Sequence, residues 1–489
     1  MEREEIEKVY DQGKEAVVNL VEGIIKEFTA QLVVLTNRIE KLENHIEKLE
    51  GQLTKNSHNS SKPPSSDGLK KKIRTKSQRK KSGKKSGGQE GHKGKNLEMT
   101  GFPDEKIKLS IKKCHCCGES LQGIDAKDHD KRQKFEIPKI SVYVTEYQAE
   151  IKDCPHCGTE CRANFPEGIT HKTQYGNYLR AIAVYLRNYE LIPVERSAEI
   201  FEDIFSIPLS EGTIVNSTKK CSKSLVGFHE WVRQKLINSG IVCFDETGVN
   251  IEGKLHWLHS AGTPELTSYF VHKKRGSEAF DAMGILPEFK GRAVHDHWQS
   301  YFKYDCNHSL CNAHHLRELT FIYEHHGQQW AKKMIDFICK LKCEVDEVAT
   351  QGKLIEASQM KKFERKYKRI LNEGFKEIPP PEPEKEIKRG RKSKGKALCL
   401  LERLRDFQNE TLAFMYDLDV PFDNNLAERD IRMIKVQQKI SGLFRSFCGA
   451  EQFCLIRSFI STVKKQGFNV LDALEKILDG QQVYFEFSC

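Results

Sequence analysis

Nowhere in the 489 residues is there a run approaching the roughly 20 apolar residues that a membrane-spanning helix needs. The chain also starts without the basic and apolar stretch of a secretory signal, since Met-Glu-Arg-Glu-Glu is acidic. The expectation is therefore a soluble cytoplasmic protein with no membrane partner. Acidic residues are scarce in one place: between Lys70 and Lys95 there are twelve Lys or Arg residues and one acid, Glu90. Because the net charge of the whole chain is only +10, that segment holds the excess. Concentrated charge of this kind suits a polyanion, with a solvated tail as the plain alternative. Lys70, Lys71, Lys72, Arg74, Arg79, Lys80, Lys81, Lys84 and Lys85 would screen phosphates rather than read bases. Sixteen cysteines in a reducing compartment suggest metal ligation where they pair, and core packing where they are scattered.

Residues 1–54 read as a coiled-coil helix. Apolar residues fall at Val18, Val21, Ile25, Phe28, Leu32, Leu35, Ile39, Leu42, Ile46, Leu49 and Leu53, alternating steps of three and four, and this implies a homo-oligomer. Pro63-Pro64 prevents the helix from resuming, and residues 55–100, rich in Ser, Gly and Lys, read as a disordered basic linker. Residues 101–166 read as a small cysteine-bearing β module with strand candidates Phe135-Glu136-Ile137 and Val142-Tyr143-Val144. Residues 167–237 read as helical, with Pro193 to Phe205 and Glu211 to Leu225 about a short Ser-Ile-Pro-Leu-Ser turn, a candidate helix-turn-helix DNA reader. From 238 to 318 the pattern turns to strands, at 241–244, 255–258, 268–271 and 292–295, with a short helix near Ser277 to Met283. A helical insertion is expected over 319–404, with Trp330, Met334, Phe337, Leu341, Val345 and Val348 on one face. Residues 405–489 complete the core with further helices.

Two C-x2-C knuckles, Cys114-His-Cys-Cys117-Gly and Cys154-Pro-His-Cys157-Gly, match a structural zinc site of four thiolates, each knuckle closed by a glycine that permits the tight turn. Cys116, His156 and Cys161 are possible substitutes. The long interval between the knuckles requires a longer hairpin than the usual ribbon.

Asp245 ends the first strand run, Asp296 ends the fourth, and Glu428 lies in a helix whose buried face is marked by Ala427, Ile431 and Ile434. Two strand-end aspartates followed by a helical glutamate is the order of a ribonuclease H-like metal site. Oxygen donors suit two magnesium (or manganese) ions, which neutralise a phosphate, activate a nucleophile and stabilise a leaving oxygen. Arg317, Arg432 and Arg445 are candidates for phosphate contacts, with surface ion pairs as the alternative. The segment Cys306 to Leu319 also contains metal-type residues, although a strand cysteine followed by a helix start explains it adequately.

Taken together, these strings resemble the insertion-sequence-66 family of DDE transposases over nearly the whole chain. The matching strings are Asn59-Ser-Ser-Lys-Pro-Pro-Ser-Ser-Asp67, Gly88-Gln-Glu-Gly-His-Lys-Gly94, the twin knuckles, Phe244-Asp-Glu-Thr-Gly248, Cys311-Asn-Ala-His-His-Leu-Arg-Glu-Leu319 and Asp423-Asn-Asn-Leu-Ala-Glu-Arg429. The resemblance implies an α/β multidomain protein: an N-terminal coiled coil, a zinc-ribbon-like β module and a ribonuclease H-like catalytic core with a helical insertion. It carries the catalytic triad over to Asp245, Asp296 and Glu428. It further implies a bacterial, nucleoid-associated enzyme that binds double-stranded DNA, both element terminal repeats and target, and cleaves and joins 3′ ends. Accessory proteins encoded by the same element are possible partners. Two departures stand out: Cys114-His-Cys-Cys117 lacks the proline more usual in that knuckle, and His297 follows the second aspartate where a smaller residue is expected. The alternatives are a non-catalytic zinc-containing DNA-binding protein with a degenerate core, and a ribonuclease H-like nuclease without strand transfer.

Overall fold

The structure is a computed structural model that describes residues 9–53, 97–378 and 395–481, together with Lys55 and Asn59. The basic segment with Lys70 to Lys85, and the Asn59–Asp67 and Gly88–Gly94 strings apart from Asn59, lie outside the described residues. The chain divides into two compact units. One comprises Met1–Ile73, Gly176–Pro193 and Val215–Cys489; the other comprises Arg74–Tyr175 and Val194–Ile214. No helix among the described residues is long and apolar enough to cross a membrane.

Along the chain come α1 (Lys14–Leu53), β1 (Ile151–Asp153), β2 (Glu160–Arg162), α2 (Asn177–Val184), α3 (Val194–Phe205), α4 (Glu211–Ser224) and α5 (Val226–Ile237). The sheet region follows with β3 (Ile241–Ile251), β4 (Lys254–Gly262), β5 (Thr267–His272), α6 (Ser277–Met283), β6 (Arg292–His295) and β7 (Asn307–Leu310). Then come α7 (Asn312–His326), α8 (Gln329–Thr350), α9 (Ala357–Glu377), α10 (Lys396–Asp406), two single turns, α11 (Asn425–Ser441), α12 (Phe447–Lys465) and α13 (Val470–Leu478).

The five-stranded sheet has the order β5-β4-β3-β6-β7. The β5–β4 and β4–β3 pairs are antiparallel, whereas β3–β6 and β6–β7 are parallel. A two-residue turn joins β3 to β4, with both Glu252 (φ 52°) and Gly253 (φ 74°) left-handed. That geometry matches the twist of the flanking strands and fixes the register that sets Asp245 opposite Ser260.

Alternation of side chains sorts β3 onto two faces. Val242 and Phe244 join a core with Ala181 and Val184 of α2, Cys221, Leu225, Phe228, Val232 and Leu236 of the α4–α5 region, and Ile456, Phe459 and Val463 of α12. On the opposite face Cys243 packs with Val294 of β6 and Ala427 of α11. The helical region expected at 167–237 is consequently divided: α2 and α5 build the core behind the sheet, while Val194–Ile214 belongs to the other unit. The physical reason is that Phe228, Val232 and Leu236 recur every four residues and form a stripe that the sheet covers.

The helices after the sheet form their own core from α7 to α10, with Trp330, Met334, Phe337, Leu341 and Val345 buried and Val348 partly so. In α1 the apolar stripe is unburied: Val18, Val21, Ile25, Phe28, Leu32, Leu35, Ile39, Leu42, Ile46 and Leu49 are each at least 44% exposed.

In β4, His259 is buried with its ring edge against Phe280 and its Nε2 3.3 Å from the Lys274 carbonyl oxygen. Burial pushes its pKa down to about 4. The folded chain thus binds fewer protons than the unfolded chain between about pH 4 and 6.5. Its stability contribution is full above the unfolded pKa and is lost as pH falls through the folded one, at up to about 1.4 kcal/mol per unit. We expect His259→Gln to shrink the stability gap between pH 7 and pH 5 by about 2 kcal/mol, read from thermal or urea melts. An unchanged gap would show that His259 contributes nothing to the acid sensitivity.

Candidate active site and metal-binding residues

Parallel pairing of β3 and β6 matches Cys243 with Val294. Two residues further along stand Asp245, inside β3, and Asp296, just past the end of β6; Asp245 does not end its strand as expected, because the hairpin with β4 carries β3 on to Ile251. Ala427 packs against Cys243 and Val294, which brings Glu428 of α11 near. The start of α11 is tied down by Asn424, whose buried side-chain amide donates to the Phe244 carbonyl oxygen at 2.7 Å. Asn424 N–H in turn donates to Cys311 Sγ at 3.2 Å, and Asn312 N–H donates to the Phe422 carbonyl at 3.2 Å, coupling the starts of α7 and α11.

Asp245, Asp296 and Glu428 feel one another's charge, although their oxygens do not form a group within 4.8 Å of one another. Burial pushes the Asp245 carboxyl well above the usual carboxylate range, and the charges of Glu246, Asp296 and Glu428 push it further. Arg275 lies beside Asp296 and Arg317 beside Glu428, while Asp245 has no such partner among the described residues, and a bound divalent cation would offset its charge. Glu428 has one oxygen spoken for: its Oε2 lies 3.5 Å from Arg317 Nη2. Its Oε1 is buried and has no hydrogen-bond partner, as is His314 Nδ1, 3.8 Å away. Among the described residues, Cys311, His314 and Glu428 are the one group of three or more metal-type side chains whose ligand atoms all lie within 4.8 Å of one another. The Cys306–Leu319 segment therefore contributes two donors to a cluster that a strand cysteine and a helix start alone do not explain. Cys306 stands apart, its Sγ 3.9 Å from His308 Nε2.

A further acid and a shared arginine stand beside the two aspartates. Glu246 points to the opposite face of β3 from Asp245 and is buried; its Oε1 accepts from Arg275 Nε at 2.8 Å and its Oε2 from the Tyr301 hydroxyl at 2.6 Å. Burial and the Asp296 charge raise its pKa to about 7. Arg275 also reaches Asp296, with Nη2 3.6 Å from Oδ2, and its guanidinium carbon lies 4.0 Å from the Trp298 ring centre and 5.0 Å from that of Trp257. Arg275 thus links the acid beside Asp245 to Asp296. The only sequence signal for this pair was Glu246 standing within Phe244-Asp-Glu-Thr-Gly248. Of the remaining candidate phosphate contacts, Arg432 and Arg445 are exposed.

In the other unit the two knuckles share one backbone design. Cys114 N–H donates to the Glu119 carbonyl at 2.8 Å, and Gly118 N–H to the Cys114 carbonyl at 2.9 Å. Cys154 N–H donates to the Thr159 carbonyl at 2.9 Å, and Gly158 N–H to the Cys154 carbonyl at 2.8 Å. Gly118 (φ 78°) and Gly158 (φ 68°) occupy the left-handed region that glycine favours. Backbone N–H groups of Cys117 and Cys116 lower the Cys114 pKa, while the hydroxyl and N–H of Thr159 lower that of Cys157, and both effects favour thiolates. Each knuckle gathers its own two thiols; among the described residues no three of the knuckle cysteines converge. The long hairpin expected between them is also not formed. Phe135–Ile137 and Val142–Val144 pair with no strand, their side chains are exposed, and the ladder is limited to β1 and β2 flanking the second knuckle. Apolar residues with no second layer to cover them do not define a sheet face.

Comparison with known families bears on both units. A family model described as zinc-finger binding domain of transposase IS66 matches residues 112–158, so this module is a zinc-binding domain. A family model of unknown function matches residues 12–98, and no curated protein matches the chain. The model described as Transposase IS66 family matches residues 172–452, more than half of the chain and all of the sheet. The protein belongs to the Transposase IS66 family.

Proposed function

We propose that this transposase cleaves the 3′ ends of its element and joins them to target DNA, using Asp245, Asp296 and Glu428 as the catalytic carboxylates. The observation that carries the reading is the Asp245 carboxyl, which burial, and then the nearby charges of Glu246, Asp296 and Glu428, hold well above the usual carboxylate range. The strand order β5-β4-β3-β6-β7, with an antiparallel hairpin side and a parallel side, supports a ribonuclease H-like core whose insertion is the α7–α10 bundle. Magnesium or manganese ions, held by the three carboxylates, would neutralise the phosphate and stabilise the attacking and leaving oxygens. The unpartnered Glu428 Oε1 and the electrostatic strain on Asp245 fit such ions.

The chain's own groups supply the rest. Asn424 ties the start of α11, which carries Glu428, to β3 at Phe244. The Glu246–Arg275–Asp296 linkage holds Asp296 and limits its rotation. Arg317, beside Glu428, offers a cation to a DNA phosphate. The exposed stripe of α1 supports a parallel coiled coil between two copies, which would bring two element ends together.

The test is direct: full-length protein, labelled element ends, plasmid target and magnesium should yield covalently joined DNA. Cleaved but unjoined ends would instead identify a nuclease, and no magnesium-dependent cleavage would leave a DNA-binding protein. A separate expectation concerns the basic segment. Deleting residues 70–95 should weaken binding to all DNA sequences and flatten the dependence of log affinity on log salt, by up to about 0.9 for each phosphate that the segment neutralises. Weakening confined to cognate ends would mean that the segment reads sequence.

A further inference from the structure

Cys311 caps the N-terminus of α7, and His314 follows in its first turn, so C-x2-H spacing turns a thiol and an imidazole toward one point. Glu428 arrives at that point from α11. His314 Nδ1 and Glu428 Oε1 are both buried without hydrogen-bond partners, and at 3.8 Å they are too far apart to bond each other. Two such atoms side by side are costly unless something else satisfies them. A tetrahedral ion with metal–nitrogen and metal–oxygen bonds of about 2.0–2.2 Å and a metal–sulfur bond of about 2.3 Å has donor-to-donor edges of roughly 3.3–3.6 Å. The three ligand atoms lie within 4.8 Å of one another, so a bound ion would have to draw them in to reach those edges.

We propose that Cys311, His314 and Glu428 form a second metal site, distinct from the knuckles, that takes a zinc-class divalent cation. Thiolate and imidazole donors select zinc over magnesium, and three protein ligands leave one position for water. On binding, the Cys311 S–H bond breaks, a metal–sulfur bond forms and the proton passes to solvent. The Asn424 N–H continues to donate to the sulfur, and Arg317 remains beside Glu428 Oε2. Glu428 belongs to both arrangements, so an ion here withdraws it from Asp245 and Asp296. This consequence rests on the catalytic reading above; the binding itself does not.

The experiment counts metal in the full-length protein saturated with zinc and then freed of excess by gel filtration. Wild type should carry one more zinc ion per chain than His314→Gln or Cys311→Ser, each checked for folding by circular dichroism and melting temperature. Serine keeps an acceptor for the Asn424 N–H; if that variant does not fold, His314→Gln decides. Equal zinc content and equal zinc affinity in wild type and folded His314→Gln overturn the site. A second readout adds micromolar zinc over millimolar magnesium in the joining assay. Wild-type joining should fall about tenfold, and that of His314→Gln less than about twofold, because about 1.4 kcal/mol of competition at Glu428 is a factor of ten. If neither protein joins DNA with magnesium alone, the catalytic reading fails while the zinc count still judges the site.

Discussion

Asp245→Asn, Asp296→Asn and Glu428→Gln should each lower the joining of element ends to target DNA by about a thousandfold or more, with end binding changed less than about threefold. The size follows from the several kcal/mol that metal-held charge contributes to phosphoryl transfer, at 1.36 kcal/mol per factor of ten. The near-constancy of binding follows because DNA affinity comes mainly from cationic contacts to phosphates, which these substitutions leave alone. Amides keep the shape of the carboxylates, so a loss of activity reports charge rather than packing. Asp245→Asn carries an internal control. Its carboxyl is buried and pushed well above the usual range by Glu246, Asp296 and Glu428. Near neutral pH the folded metal-free chain must either hold that proton or hold the charge, and the amide avoids both costs. The melting temperature of metal-free Asp245→Asn should therefore rise while its activity disappears, a trade common at catalytic sites. Joining retained in any of the three purified variants would remove that residue from the site.

Much of this arrangement was legible in the residues, because the signals are local. Strand runs at 241–244, 255–258 and 268–271 fall within the longer β3, β4 and β5, the run at 292–295 matches β6 and Ser277–Met283 matches α6, since β-rich alternation and helical periodicity act over a few residues. Asp296 could be picked out as a strand-end acid, and Glu428 by its place on the Ala427, Ile431, Ile434 helix; Asp245, the expected end of its strand, lies inside β3, because pairing with β4 extends that strand to Ile251. What stayed hidden depends on contacts between distant segments. Glu246 looks like any acid beside a catalytic one until Arg275 and Tyr301, far along the chain, are seen to hold it. His314 and Cys311 resemble a helix start until Glu428 closes on them from more than a hundred residues away. The division of 167–237 was illegible for the same reason, since helical periodicity marks an apolar stripe but not which neighbour covers it. Phe135–Ile137 and Val142–Val144 carry β-forming residues, yet propensity without a packed partner produced no ladder.

Gly291 tests whether the alignment of β3 with β6 sets the chemistry. It stands just before β6, where Arg292 N–H donates to the Gly240 carbonyl at 2.8 Å and Asn307 N–H to the Gly291 carbonyl at 3.0 Å, so it is gripped by backbone on both sides. A Cβ there would come within 2.5 Å of the carbonyl oxygens of both Gly240 and Ser239, and within 2.6 Å of Phe289 Cζ. Two of those three neighbours are backbone and cannot swing aside, so β6 itself must shift. We expect Gly291→Ala to cost about 3 kcal/mol or more of stability, at the upper end for overpacking. Gly227→Ala, in α5 with open space around the added carbon, should be neutral or slightly stabilising under the same melt. The consequence for activity is sharper than for folding. A shift of β6 carries Asp296 away from Asp245, and a displacement of about 1 Å at reacting groups costs on the order of a hundredfold. At a temperature where Gly291→Ala remains folded, its joining rate should therefore fall by about that factor, with DNA affinity preserved. If Gly291→Ala proves unstable yet fully active when folded, the register between the two strands is a matter of packing alone, and the aspartates are positioned by something else.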